Sequence, residues 1–256
     1  MRSMWKGQLG FGMVSLSVKM YKGVDEDDIR FHLVHPQCGG RVKQNLFCPQ
    51  CECLVQRQEL KKGYEVGKDK YLILDEADFE KLPLKSLKAI DIEGFVQDRP
   101  DPRAFEESYL IAPEKGSEKA FQLILGAMEK LGVKAVAKIA YREREHLCLV
   151  SPYQGVLLLQ TLFYAGELRG IEEIKPKAVA LSDKEVELGV ALVKQMVIAF
   201  NYEGYHDDYR LALEKLIEAK AEGKVLAGVA EATATPGDLV GQLMASLGLG
   251  VKGQNV

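Results

Sequence analysis

The chain has 256 residues, 47% of them hydrophobic and 28% charged, which is the composition of a folded globular protein with room for one large core or two smaller ones. Its formal net charge of −3 excludes a globally basic nucleic-acid binder, so any basic surface has to be local. The residues 1–6 carry no apolar run of a signal peptide, and no stretch approaches the length of a membrane span. Together these point to a cytoplasmic protein whose cysteines stay reduced or bind metal.

In chain order, Gly10–Tyr21 is rich in β-forming residues and broken by glycines. The segment from His35 to Cys51, HPQCGGRVKQNLFCPQC, then reads His-x2-Cys, nine residues, Cys-x2-Cys. These are two metal-binding knuckles, with Gly39, Gly40 and Pro49 supplying turns. His35, Cys38, Cys48 and Cys51 would complete a tetrahedral Zn²⁺ site, and a closed ligand set favours a structural ion over a catalytic one. Cys53 is an alternative to Cys51 or His35, and His32 a weaker substitute. A redox CxxC needs a thioredoxin-like βαβ setting, which the sequence lacks.

Further strands are predicted at Tyr71–Leu74, Leu87–Val96, Glu107–Ile111, Val133–Tyr141, Leu147–Val150 and Gly155–Phe163. A short helix is predicted at Asp75–Leu82. A longer one is capped by Ser117, has the stripe Phe121, Ile124, Leu125, Met128, and stops at Gly132. So many strands with short turns indicate a barrel or sandwich. Cys148, within an apolar run, reads as a core thiol.

If the strand from Val133 extends to Arg144, its period of two places Lys134, Lys138, Arg142 and Arg144 on one face, a strip suited to a phosphate backbone. Arg41, Lys43 and Lys62 in and after the knuckle segment add to that basic surface. From Ser182 the pattern turns helical. Ser182-Asp183-Lys184-Glu185 is a capping box, and Val186, Val190, Val193, Val197 and Phe200 follow at helical spacing. A second helix runs from Asp207 to Gly223. Residues 224–234 read as a linker, and a last short helix carries Leu239, Val240, Leu243, Met244 and Leu247 on one apolar face, suited to docking either on this chain's own core or on a partner. There is no nucleophile elbow, Walker loop or HExxH motif, so the sequence reads as a binding protein.

The opening MRSMWKGQLGFGMVSLSVKMY, then FHLVHPQCGGRVKQNLFCPQC, KKGYEVGKDKYLIL, IAPEKGSEKAF, REREHLCLV and YHDDYRLALEKLIEAK together resemble the bacterial Ku proteins, DNA-end-binding factors of non-homologous end joining. The resemblance covers nearly the whole chain. It implies a mixed, mainly β fold: a Ku-type β-barrel core over 1–181 with a zinc-braced insertion at about 32–58, a helical arm over 182–223, and a linker and partner-binding helix over 224–256. It also implies a ring-shaped homodimer threaded by double-stranded DNA ends without sequence preference, no catalysis, and recruitment of ATP-dependent DNA ligase D through the last helix. Three departures stand out: only Lys252 remains of the family's Lys-rich tail, Ser17 replaces a usual proline, and Glu143 interrupts Arg142 and Arg144. A zinc-ribbon transcription or RNA-binding factor, needing no free end, is the alternative. A thiol-dependent enzyme using Cys48 and Cys51 is a weaker third.

Overall fold

The computed structural model describes residues 1–25, 28–81, 89–141 and 144–224. They divide into two units, 1–170 and 171 onward.

In the first unit the strands are β1 (Trp5–Phe11), β2 (Val14–Lys22), β3 (Leu46–Cys48), β4 (Cys53–Val55), β5 (Lys62–Gly67), β6 (Lys70–Leu74), β7 (Ala89–Val96), β8 (Phe105–Pro113), β9 (Lys134–Tyr141), β10 (Arg144–Tyr153) and β11 (Val156–Leu162). Helix α1 is Glu76–Glu80 and α2 is Glu118–Leu131. Seven strands close a barrel in the order β1-β2-β8-β11-β10-β9-β7. All neighbours are antiparallel except the seam, where β1 meets β7 in parallel with Gln8 opposite Ala89 and Phe11 opposite Ile92. The β-rich stretch at the N-terminus is two strands, turned by Gly12 at φ +57°.

Alternation along the strands makes the core. On β9, Ala135, Ala137 and Ile139 are buried inside the barrel, with Cys148 and Val150 from β10 and Leu157 and Leu159 from β11. Helix α2 leaves the end of β8 and returns at the start of β9. The registers place both at one rim, because Pro113 pairs with Val18 and Lys134 with Val96. The helix therefore spans that mouth, and its stripe of Phe121, Ile124, Leu125 and Met128 joins the barrel core. Gly132 ends it in the left-handed conformation at φ 63°, as expected, but Ser117 at its start makes no side-chain cap: its Oγ accepts from Ser17 N–H at 3.1 Å instead. Burial pushes the Cys148 thiol up to about 12, as befits a packing residue.

A second apolar cluster lies on the outside of the wall, where Ala104, Leu149 and Leu162 pack with Val96, Phe105, Val136, Leu147 and Leu168. Arg103 fastens this layer. It forks onto the Asp101 carboxylate and donates Nη1 to the Arg169 carbonyl at 3.0 Å.

The second unit has helices α3 (Asp183–Met196) and α4 (Asp208–Ala221). The capping box at Ser182 forms: Ser182 N–H donates to Glu185 at 2.7 Å, and Glu185 N–H donates to Ser182 Oγ at 3.3 Å. Asp207 caps α4 by accepting from Arg210 N–H at 3.0 Å. Helix α3 stops before the sequence pattern does. Val197 is its C-cap with extended backbone, and Phe200 lies beyond it, stacked with Tyr205 at 5.5 Å. Among the described residues of this unit only Ala219 is buried. The predicted C-terminal helix with Leu239, Val240, Leu243, Met244 and Leu247 lies outside the described residues, as does Arg142.

Candidate nucleic-acid interface and metal knuckles

Between β2 and β7 the chain makes an excursion from Gly23 to the start of β7, longer than the insertion of 32–58 drawn from sequence. It leaves and returns at the rim opposite α2, the same rim at which Tyr141 of β9 pairs with Arg144 of β10. The arm is built of hairpins. One is closed by the Val34–Arg41 bridge, one pairs β3 with β4, and one pairs β5 with β6. Strand β5 escapes sequence reading because Gly63, Glu65 and Gly67 interrupt its apolar pattern. No described residue from Lys22 to Lys81 is buried. Yet the arm carries Phe31, Leu33, Phe47, Tyr64, Tyr71 and Ile73, all exposed. A segment with that much bare apolar surface lacks a core of its own.

The knuckles sit at two hairpin turns. In the first, His35 N–H donates to the Gly40 carbonyl at 2.8 Å and His35 Nδ1 lies 3.2 Å from Cys38 Sγ. In the second, Cys48 faces Cys53 across β3–β4. The backbone N–H groups of Cys51 and Gln50 point at the Cys48 sulfur and hold its thiol below the usual range, while the Cys48 side chain raises that of Cys51. Amide-supported sulfur of this kind is what a thiolate ligand needs, so the donor chemistry suits Zn²⁺. The structure brings His35 to Cys38, and Cys51 to both Cys48 and Cys53. Among the described residues it gathers no group of three or more His, Cys, Asp or Glu side chains in metal-holding geometry.

The two turns share a Pro-Gln-Cys core: His35-Pro-Gln-Cys38-Gly39-Gly40 and Cys48-Pro-Gln-Cys51-Glu52-Cys53. This short repeat is visible in the sequence and strengthens the reading of paired knuckles. The residue after the second ligand is left-handed in both, Gly39 at φ 66° and Glu52 at φ 51°. Glycine takes that conformation freely, whereas a side chain there costs about 1–2 kcal/mol.

The basic strip differs from its sequence reading. Strand β9 ends at Tyr141, and Arg144 opens β10 opposite it, so Arg144 does not continue the row of Lys134 and Lys138. The face that holds those lysines also holds Val136, packed into the outer apolar cluster. Lys138 pairs with Glu93 at 2.9 Å, which raises its pKa, and Glu145 adds to the local negative field. Arg144 grips Glu167 through two contacts of 2.6 and 2.7 Å. The Tyr164 backbone N–H and this guanidinium hold Glu167 below the usual carboxylate range. Lys134, at the α2 rim, has no acidic partner among the described residues.

Two adjoining hollows on the arm, of about 610 and 590 Å³, share Gln44 and Asn45. Arg41 and Lys43 line one and Arg57 the other, and no carboxylate lines either. Arg57 is a cation that the sequence reading passed over. Lys62 lies 5.0 Å from the Phe79 ring centre.

A seven-stranded barrel interrupted by a coreless, knuckle-bearing arm defines a narrow class of protein. Residues 10–188 match the family model described as the Ku70/Ku80 beta-barrel domain. The chain is 38% identical over 254 residues to a non-homologous end joining protein Ku of Archaeoglobus fulgidus, covering 96% of this chain and 98% of that protein. It is 34% identical to the proteins of the same name from Symbiobacterium thermophilum and Solibacter usitatus. These matches cover 87% and 91% of this chain, and 56% and 87% of the relatives. The chain belongs to the Ku family.

Proposed function

We propose that this protein binds double-stranded DNA ends without sequence preference as a homodimer whose barrels and arms encircle the duplex, and that it serves non-homologous end joining. One observation carries the reading. The arm from Lys22 to Lys81 has no buried described residue and a wealth of exposed apolar ones, so it needs a second copy to cover it. The names of its relatives supply the biological setting. Topology does the selecting: an enclosed ring admits a free end and needs no base contacts. The role is binding and handing over, with no catalytic step.

Zn²⁺ held by His35, Cys38, Cys48 and Cys51 would clamp the two knuckle turns against each other and stand in for the missing core of the arm. Residues 239–247 would present Leu239, Val240, Leu243, Met244 and Leu247 to an ATP-dependent DNA ligase of the ligase D type.

Phosphate contacts fall first to the unpaired cations. Arg41, Lys43 and Arg57 on the arm, and Lys134 on the barrel, are open, whereas Lys138 and Arg144 already hold carboxylates. Arg41→Ala and Lys134→Ala should each weaken binding to every end sequence alike and reduce the salt slope by about 1. Lys138→Ala should change it less, because the lysine must leave Glu93 before it can serve a phosphate. Titrating fluorescent duplex ends at several salt concentrations checks this. Unchanged slopes at Arg41 and Lys134 would contradict the backbone reading.

A further inference from the structure

Where the two knuckle turns differ, the last position adds a thiol to the second. Gly40 closes the first turn, and a Cβ placed there would lie 3.3 Å from Cys38 Sγ. The matching position in the second turn is Cys53, whose thiol lies near enough to Cys51 to help raise that thiol's pKa. A third sulfur thus stands against a knuckle that needs only two. Cys53 also pairs across the hairpin with Cys48. Facing residues of an antiparallel pair have Cα atoms about 4.5–5.5 Å apart, inside the range a disulfide spans. A bond to Cys51 would have to close through Glu52 alone. Cys51 and Cys53 are exposed and Cys48 is half-buried, so a small oxidant reaches the group from solvent.

We propose that Cys53 is an oxidation site that turns the second knuckle into a disulfide. A hydroperoxide transfers one oxygen to the Cys53 sulfur, giving a sulfenic acid and releasing the corresponding alcohol or water. The Cys48 sulfur then attacks the sulfenic sulfur, forming the Cys48–Cys53 bond and expelling a second molecule of water. Two thiols lose two hydrogens, and their electrons reduce the O–O bond. Cys48 is thereby lost as a ligand, and a thiol reductant restores it. The step belongs to the hairpin with Cys48 uncoordinated, so the protein is freed of metal by a chelator before the test.

The test is exposure of the purified protein to hydrogen peroxide, followed by thiol counting after denaturation and by intact mass. The wild type should fall from five free thiols to three, lose the mass of two hydrogens, and recover with reductant. Cys53→Ser and Cys53→Gly, the latter copying Gly40, should each keep all their thiols through the same exposure. Disulfide formation in either variant at the wild-type rate would overturn the proposal, as would a wild type that gains oxygen without forming a disulfide. Neither readout involves DNA, so the outcome is separate from that of the end-binding reading.

Discussion

Cys38→Ser should abolish zinc uptake and weaken DNA-end binding by more than an order of magnitude, while the barrel melts as it does in the wild type. The barrel core draws on Leu9, Ile90, Phe121, Ile139 and Leu159, none of which comes from the arm. Among its described residues the arm has none that is buried. A structural zinc ion supplies on the order of 10–16 kcal/mol of apparent folding free energy in small metal-held units, far more than exposed hairpins can replace. Metal content, thermal unfolding and end binding, measured on the same preparation, check the three parts together. Normal end binding by the variant would show that the knuckles do not brace the binding surface.

Val193→Asp should convert the proposed homodimer to a monomer and abolish end binding with little change in helix content. Val186, Val190 and Val193 follow one face of α3, and none is buried, with Val193 at 65% exposure. An exposed apolar stripe of this kind is suited to burial against a second copy in the proposed homodimer. A carboxylate forced into that contact raises the dimer Kd by roughly a hundredfold or more, equivalent to about 3 kcal/mol. Sedimentation over a range of concentrations reads the change directly. A variant that remains dimeric would remove α3 from the interface.

Helix α2 was legible because its signals are local: a four-residue apolar stripe and a terminal glycine, with a serine at the N-cap position whose hydroxyl turns out to serve Ser17 N–H instead. Barrel closure was not. It depends on parallel pairing of Gln8–Phe11 with Ala89–Ile92 across the whole arm, a contact that no local pattern announces. The charged strip illustrates the same limit. The spacing of Lys134 and Lys138 is visible in the sequence. Glu93 and Glu167, which occupy Lys138 and Arg144, come from other elements and appear only once the barrel is folded. Arg144 falls out of the row because it pairs with Tyr141 from a neighbouring strand, a register that the run of charged residues does not show. The knuckles were legible as spacing, since turn residues and ligands are neighbours. Their sulfur-directed amides and the left-handed Glu52 needed coordinates.

In the proposed homodimer, a closed ring selects DNA by its free ends. Binding of one purified preparation to a linear duplex and to the same sequence as a covalently closed circle tests it most directly. The ring predicts tight binding to the linear form and only weak, salt-sensitive association with the circle, restored when the circle is cut once. Equal affinity for the uncut circle would contradict it.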